Sequence, residues 1–321
     1  MFSFSELVAQ FETRLGNSQL FHGQPENLYE PCRYLLGLGG KRVRPALCLM
    51  GAELFGDLTE DAWQAAIGIE LFHNFTLIHD DIMDKAPLRR GQPTIHARNG
   101  LTAGILCGDT MGIAAYQQMS RVQHKLHSIL DIFNRTAIEV CEGQQMDMDF
   151  EQRDDVTEEE YIRMIKLKTS VLVAASLKIG AITGGSTGGN AEKLYQFGKY
   201  LGIAFQLQDD YLDAFGDANK LGKQAGGDIL ADKKTYLQIK AMEHLTPDQK
   251  ASLQSWHGNQ AEGKVEATLE LFRLSSCDKQ CREAVEHYSG LAFQALEDVA
   301  CLSKRKQYLH DLAMALLDRQ S

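Results

Sequence analysis

Prolines are scarce in this chain, six in 321 residues, so little interrupts a helical run. The alternating β-branched pattern of strands is also scarce, and amphipathic runs of helical period dominate. The fold class read from this is all-α. No CxxC pair occurs among the seven cysteines, Cys32, Cys48, Cys107, Cys141, Cys277, Cys281 and Cys301. An export signal is lacking too, since residues 1–7 carry neither a basic region nor a long apolar run. The cysteines therefore read as buried small hydrophobes in a reducing compartment, which points to a cytoplasmic protein. The most apolar stretch, residues 171–179, contains Ser176 and Lys178 and is far too short to span a bilayer. Positive charge is in short supply. Against 43 Asp and Glu stand 33 Lys and Arg, a net charge of −10, which argues against a general nucleic-acid binder. What is present, 44% hydrophobic residues over this length, is ample for a sizeable core.

The periodicity predicts helices over residues 2–16, 25–38, 60–84, 100–119, 122–152 and 158–182, with four or five more in 236–320. The glycine-rich stretch 184–189 reads as a connector rather than a domain boundary, and Lys304-Arg305-Lys306 as a solvated helix face. Within 100–119, Gly104, Cys107, Gly108, Ala114 and Ala115 are small enough to permit close helix packing or to leave a cavity.

One predicted helix ends in Leu77-Ile78-His79-Asp80-Asp81-Ile82-Met83-Asp84, with three carboxylates in five residues. Asp80 and Asp84 are four apart, so both project from one face. Acidic groups at a helix C-terminus oppose the helix dipole, a local rule broken without structural reward. A hard divalent cation would neutralise them, because Mg²⁺ takes oxygen ligands and keeps waters or substrate phosphates in its other positions. Taken singly, the stretch reads equally well as a solvated helix end. His73, two turns earlier, reads first as a satisfied core histidine. Upstream, Gly39-Gly40-Lys41-Arg42-Val43-Arg44 places cations after a glycine pair at a helix start, where an anion is favoured. Lys41 and Arg44 could grip one diphosphate together, although an ordinary basic helix start is the plainer reading. Downstream, Arg89-Arg90-Gly91 either salt-bridges the carboxylates or brackets a metal-bound diphosphate.

A second stretch decides between these readings. Phe205-Gln206-Leu207-Gln208-Asp209-Asp210-Tyr211-Leu212-Asp213 is another DDxxD on an apolar helix, with Gln206 facing the same way. Gly222-Lys223 and Asp232-Lys233-Lys234-Thr235 follow it. Two copies of one layout, carboxylates at a helix end and then cations, are what a two-sided metal and diphosphate site requires.

In chain order, GGKRVRP, HNFTLIHDDIMD, RRG, LKTS, FQLQDDYLD and GKQAGGDILADKKT resemble the motifs of the trans-isoprenyl diphosphate synthases, the polyprenyl synthetase family, over residues 30–240. The resemblance implies a single domain, residues 1–321, of about ten or more helices around a central cavity, the isoprenoid synthase fold. It also implies a homodimer. The two motifs would face each other across that cavity, with Asp80, Asp84 and Asp209 as Mg²⁺ ligands and three ions present with substrate. Asp81, Asp210 and Asp213 would support them. Arg89, Lys168, Thr169, Gln206, Lys223 and Lys233 resemble the residues that hold the allylic substrate, which is dimethylallyl, geranyl or farnesyl diphosphate. Lys41, Arg44, His73 and Arg90 resemble those that hold the diphosphate of isopentenyl diphosphate, which moves His73 from core to ligand. Catalysis would rest on Asp80, Asp84, Arg89, Lys168, Thr169, Gln206 and Asp209.

The implied reaction ionises the allylic C–O bond, after which the double bond of isopentenyl diphosphate attacks and a proton leaves with the departing diphosphate. Mg²⁺ and the basic side chains would stabilise the leaving group. Thr169 and Gln206 would stabilise the cation, and closure would keep water from quenching it. Product length is implied by the fifth and fourth residues before the first motif, Phe75 and Thr76, or by Phe72 one turn deeper. A bulky Phe75 without a second aromatic, ahead of a plain DDxxD, resembles geranylgeranyl synthases, with farnesyl diphosphate the next expectation. DDYLD disfavours a class I terpene cyclase, and the completeness of both motifs disfavours a non-catalytic partner subunit of a heteromeric synthase. His79-Asp80 as an HD phosphohydrolase pair lacks further histidines in context, His96 and His124 having none.

Overall fold

The computed structural model describes residues 1–216, 226–259 and 261–318. The chain divides into two compact units. Met1–Arg135, Ala175–Tyr195 and Val299–Leu309 make the first; Thr136–Ala174, Gln196–Asp298 and His310–Ser321 make the second. Both are helical, as the sequence predicts, and the one ladder among the described residues pairs Leu88–Arg89 with Gln92–Pro93.

The first unit is built on α1 (Phe4–Asn17), α2 (Glu26–Gly37), α3 (Val43–Glu53), α4 (Glu60–Met83), α5 (Ile95–Asn99) and α6 (Leu101–Met119), with part of α7 (Leu126–Phe150). Capping residues set the starts. Ser3 and Glu6 form a capping box on α1, and the Thr59 hydroxyl accepts the Ala62 N–H at α4. Helix α4 is apolar on nearly all sides and is accordingly buried along most of its length. Its last turns pack on α6 through small residues one turn apart. A methyl group on Gly104 would meet Ile82, one on Gly108 would lie 2.2 Å from His79 Nε2, and one on Gly112 would touch the Phe75 ring at 3.5 Å. The small-residue stripe therefore permits close packing, with Gly108 fixing where His79 lies. Part of α9 (Val171–Thr183) is held equally closely, since a Cβ on Gly180 would collide with the Cys48 carbonyl of α3.

Between α4 and α5 the strands β1 (Leu88–Arg89) and β2 (Gln92–Pro93) form a tight hairpin, in register Leu88↔Pro93 and Arg89↔Gln92. Its two-residue turn, Arg90-Gly91, has φ of 54° and 73°, the type I′ geometry that suits the twist of paired strands. A positive φ at an arginine is uncommon.

The second unit holds the remainder of α7, α8 (Glu158–Ile165), part of α10 (Gly188–Phe215), α11 (Gly227–Leu230), α12 (Tyr236–His244), α13 (Pro247–Ser255), α14 (Lys264–Ser275) and α15 (Cys277–Glu297). Helix α16 (Ser303–Leu317) contributes residues to each unit. The core of the second unit gathers Phe150, Tyr161, Leu207, Leu237 and Phe272.

Three expectations need correction. The helix predicted over 158–182 is interrupted by a π-helical turn, Lys166–Ser170, between α8 and α9. Gly143 of α7 and Gly202 of α10 explain how it fits: a methyl on either would overlap the turn's backbone, at Lys168 N and Ser170 Cα. Lys304-Arg305-Lys306 is not a uniformly solvated face. Lys306 is buried, and Arg305 donates to the carbonyls of Glu53 and Leu54, capping the end of α3. Of the cysteines, five are buried as expected, but Cys141 is exposed and Cys301 half-buried. The glycine connector lies wholly within the first unit, so it marks no boundary. No described helix is long and apolar enough to cross a membrane.

Candidate functional site

In the first unit the carboxylates of α4 separate by position. Asp84 is exposed and Asp80 half-buried, whereas Asp81 lies about 100° round the helix from Asp80 and is buried. Asp81 is neutralised by Arg89, whose Nε and Nη2 donate to its two oxygens at 2.7 and 2.6 Å. This bidentate pair ties the hairpin to the end of α4 and resolves the conflict between buried acid and helix dipole.

About two turns earlier on α4, His73 Nε2 accepts from Arg44 Nη1 at 3.1 Å. Burial, and then the positive charges of Arg44, Arg89, Arg90 and Arg42, hold the imidazole well below its usual pKa, so it is neutral. Its remaining donor is Nδ1–H. Arg44 Nε is buried without a hydrogen-bond partner. Nature rarely leaves a guanidinium donor so placed unless an anion or water completes it. Arg90, from the hairpin turn, reaches over Gly40, where any Cβ would stand 2.7 Å from its Nη2. Lys41 is exposed at the start of α3. Four of the residues named from sequence, Arg44, His73, Arg89 and Arg90, thus make one cationic group around a neutral histidine. Arg42 belongs to the scaffold instead: at a φ of 48°, it is buried between Glu12 and Glu70.

Of the three residues that the resemblance ties to product length, Phe72 and Phe75 belong to one aromatic group. Phe75 sits 5.5 Å from Phe72 and edge-on to His79 at 4.9 Å. Phe72 is buried against Phe133, which also meets Tyr116, so two residues that the sequence reading missed extend this wall. The Thr76 hydroxyl is turned back to the His73 carbonyl at 2.8 Å.

In the second unit the pattern of α10 repeats that of α4. Asp209 is exposed, Asp213 half-buried and Asp210 buried. Among the described residues, Asp210 meets no cation. Its Oδ2 accepts from the Tyr161 hydroxyl and from the Tyr236 N–H at 3.2 Å, and its Oδ1 from Gln206 Nε2 at 3.2 Å. Burial, the largest influence, pushes its pKa up to about 7. The π-helical turn presents Thr169, whose hydroxyl donates to Gln206 Oε1 at 3.2 Å, and Lys168, which is ion-paired with Asp147 of α7. Such turns recur at functional sites because they displace side chains from the regular helical register. Asp213 accepts the Asp228 N–H at 2.9 Å, and Asp228 is itself raised to about 6 by burial and then by Asp213. Lys233 lies close enough to lower it. Lys223 lies outside the described residues.

Sequence reasoning missed Asp147, Tyr161 and Gln144, and gave no role to Asp228 within the GKQAGGDILADKKT motif. Gln144 is buried with both ends of its amide unpaired, one turn before Asp147. The signal available was Gly143-Gln144 ahead of Asp147, on one face of a long helix.

Among the described residues, no group of three or more His, Cys, Asp or Glu forms a self-sufficient metal cage. Carboxylate pairs one helical turn apart do fit Mg²⁺, which binds through one or two carboxylates when phosphate oxygens and water fill its octahedron. All donors offered are hard oxygens.

A model of the polyprenyl synthetase family matches residues 25–275. The chain is 46% identical over 223 residues to a geranylgeranyl diphosphate synthase of Methanosarcina mazei, covering 68% of this chain and 69% of that one. It is 40% identical to a geranylgeranyl pyrophosphate synthase of Geoglobus acetivorans, covering 92% of each. A crystal structure of a geranylgeranyl pyrophosphate synthase, 44% identical, superposes with a TM-score of 0.93 over 100% of both chains.

Proposed function

The chain belongs to the polyprenyl synthetase family, and on that premise we propose that it joins isopentenyl diphosphate to an allylic diphosphate, head to tail, giving all-trans geranylgeranyl diphosphate. It is a prenyltransferase. The observation that carries the reading is the shared division of labour in the two DDxxD motifs. In each, the middle carboxylate is buried and the first and last are exposed or half-buried. Asp80, Asp84 and Asp209 would hold Mg²⁺, three ions with substrate present, which supplies Lewis-acid neutralisation of the leaving diphosphate.

The chain's own residues do the remainder. Arg44, His73, Arg90 and Lys41 bind the diphosphate of isopentenyl diphosphate, Arg44 Nε and His73 Nδ1–H being the donors left over by the protein. A neutral histidine suits this role, since it donates without adding another desolvated charge among arginines. Arg89, Lys168, Lys223 and Lys233 hold the allylic diphosphate, Arg89 being oriented by Asp81 and Lys168 by Asp147. The carbonyl end of Gln206 and the Thr169 hydroxyl face the charge that develops on the allylic carbon. Both motifs serve one turnover, and the full chain acts as one catalytic domain.

Phe75, backed by Phe72, Phe133 and Tyr116, limits the growing chain to twenty carbons. A homodimer is supported by an apolar stripe on α6, where Ile105, Leu106, Ile113 and Tyr116 are 43, 51, 62 and 42% exposed. Free cysteines, most of them buried, suit the cytoplasm.

Incubation of purified protein with Mg²⁺, isopentenyl diphosphate and dimethylallyl, geranyl or farnesyl diphosphate, followed by mass spectrometry, tests the reading. A twenty-carbon product is expected. Absence of condensation with every primer refutes the reaction, whereas a fifteen-carbon or much longer product refutes only the length. Sedimentation of the same sample checks for a dimer.

A further inference from the structure

Hydrogen bonds in the second unit form a chain that ends on a group proposed to touch the substrate. The Tyr161 hydroxyl donates to Asp210 Oδ2, Gln206 Nε2 donates to Asp210 Oδ1, and Thr169 Oγ1 donates to Gln206 Oε1. Each link dictates the polarity of the next. A carboxylate only accepts, so the Gln206 amide turns its NH₂ toward Asp210 and its oxygen toward Thr169. Left to itself, an amide has two rotamers of similar energy that exchange its oxygen and nitrogen. The oxygen end is attractive to a nearby cation and the NH₂ end is repulsive.

Tyr161 stands at the far end of this chain, on α8 and 3% exposed, in the core with Phe150, Leu207 and Leu237. Tyrosine is a costly choice for an apolar core unless its hydroxyl has work there. Without that hydroxyl, Asp210 keeps only the Tyr236 N–H to fix the oxygen opposite the one that Gln206 uses.

We propose that Tyr161 is a positioning residue for the condensation: by fixing Asp210 it holds the Gln206 amide with its oxygen, rather than its NH₂, toward the allylic carbon that becomes cationic. The inference rests on the role given to Gln206 above. Tyr161 touches no substrate and acts through two intervening side chains.

The test is a double-mutant cycle of Tyr161→Phe and Gln206→Leu, run on the full chain with Mg²⁺. Isopentenyl diphosphate is paired with geranyl diphosphate or with an analogue fluorinated at the allylic double bond. Fluorine withdraws electrons and makes ionisation depend more on stabilisation of the cation. Tyr161→Phe is expected to lower kcat about tenfold or more, as loss of a hydrogen bond to a charged group does. KM for both diphosphates should hold within about twofold, since binding is not what the residue controls. The fluorinated analogue should be slowed further in the variant than in the wild type, and the double variant should be no slower than Gln206→Leu alone. A purely structural role would raise KM, add independently to Gln206→Leu and leave the fluorine effect unchanged, and any of these results overturns the proposal. If Gln206→Leu itself costs nothing, the role of Gln206 falls. If Gln206→Leu is slow and Tyr161→Phe turns over normally, only the positioning role falls. Should Tyr161→Phe fail to fold by circular dichroism, the isosteric Asp210→Asn takes its place, with the same kcat, fluorine and non-additivity results expected and the same ones overturning the proposal.

Discussion

Asp81 and Asp210 hold the same place in the two DDxxD motifs, and both are buried, at 4 and 3% exposure. Asp81 meets the full positive charge of Arg89 in a bidentate pair. Among the described residues Asp210 is met by neutral donors alone, a tyrosine hydroxyl, a glutamine amide and a backbone N–H, and burial raises its pKa to about 7. The first arrangement fastens a loop, the hairpin carrying Arg89 and Arg90, to the end of a helix. The second orients a side chain, Gln206. One motif therefore uses its inner carboxylate to place cations, and the other to place a dipole.

The outer carboxylates should behave alike. Asp80→Asn and Asp209→Asn are each expected to lower kcat/KM by about a thousandfold or more, the scale of a lost Lewis-acid contact, and to raise the Mg²⁺ concentration needed for half activity. A Mg²⁺ titration in which only one variant shifts would break the parallel between the motifs.

The inner carboxylates should differ in stability. Arg89→Leu leaves a buried charge without its partner and should cost about 3 kcal/mol in urea unfolding. Asp81→Leu with Arg89→Leu should restore most of that. Tyr161→Phe removes a neutral donor and should cost closer to ~1–2 kcal/mol. Equal costs would mean that the charge on Arg89 matters no more than a hydroxyl.

Phe75→Ala should lengthen the product by an isoprene unit or more, read by mass spectrometry, whereas Phe72→Ala should chiefly destabilise, by about 3–5 kcal/mol. An unchanged product from Phe75→Ala would move the floor of the site to Phe72, Phe133 or Tyr116.

A further difference between the two motifs concerns pH. A carboxyl raised from about 3.9 in the unfolded chain to about 7 binds a proton in the folded state across that window. Its contribution therefore falls as pH rises from about 4 to about 7 and is level above that. In chelator, the stability cost of Asp210→Asn relative to the wild type should shrink between pH 5 and pH 8. A cost independent of pH would mean that Asp210 is charged throughout, as an arginine-paired carboxylate would be.

Much of the candidate site is legible in the sequence. Helix α4 begins at the predicted residue, Glu60, and ends one residue short of the predicted Asp84, because its apolar periodicity and its Thr59 cap are local signals. The carboxylates, Arg44, Arg90 and Lys168 were legible because they stand in dense, unusual clusters. Tyr161 and Asp147 were not, because each is a single ordinary residue in its own stretch and gains meaning only from a partner across the chain. Tyr161 lies 49 positions from Asp210, and Lys168 lies 21 from Asp147. The π-helical turn escaped for a related reason. Nothing in Lys166-Leu167-Lys168-Thr169-Ser170 breaks a helix, and what accommodates the extra residue is the absence of side chains at Gly143 and Gly202.

The sequence by itself determined the helices, the family and the chemistry offered at two helix ends, since each follows from residue type at short spacing. Tertiary structure decided which of three adjacent carboxylates is structural, that His73 is neutral, that Arg42 is scaffold while Arg44 keeps a donor to spare, and which way the Gln206 amide points. Charge state and hydrogen-bond polarity are properties of burial and of partners. Those are brought together only when distant segments pack.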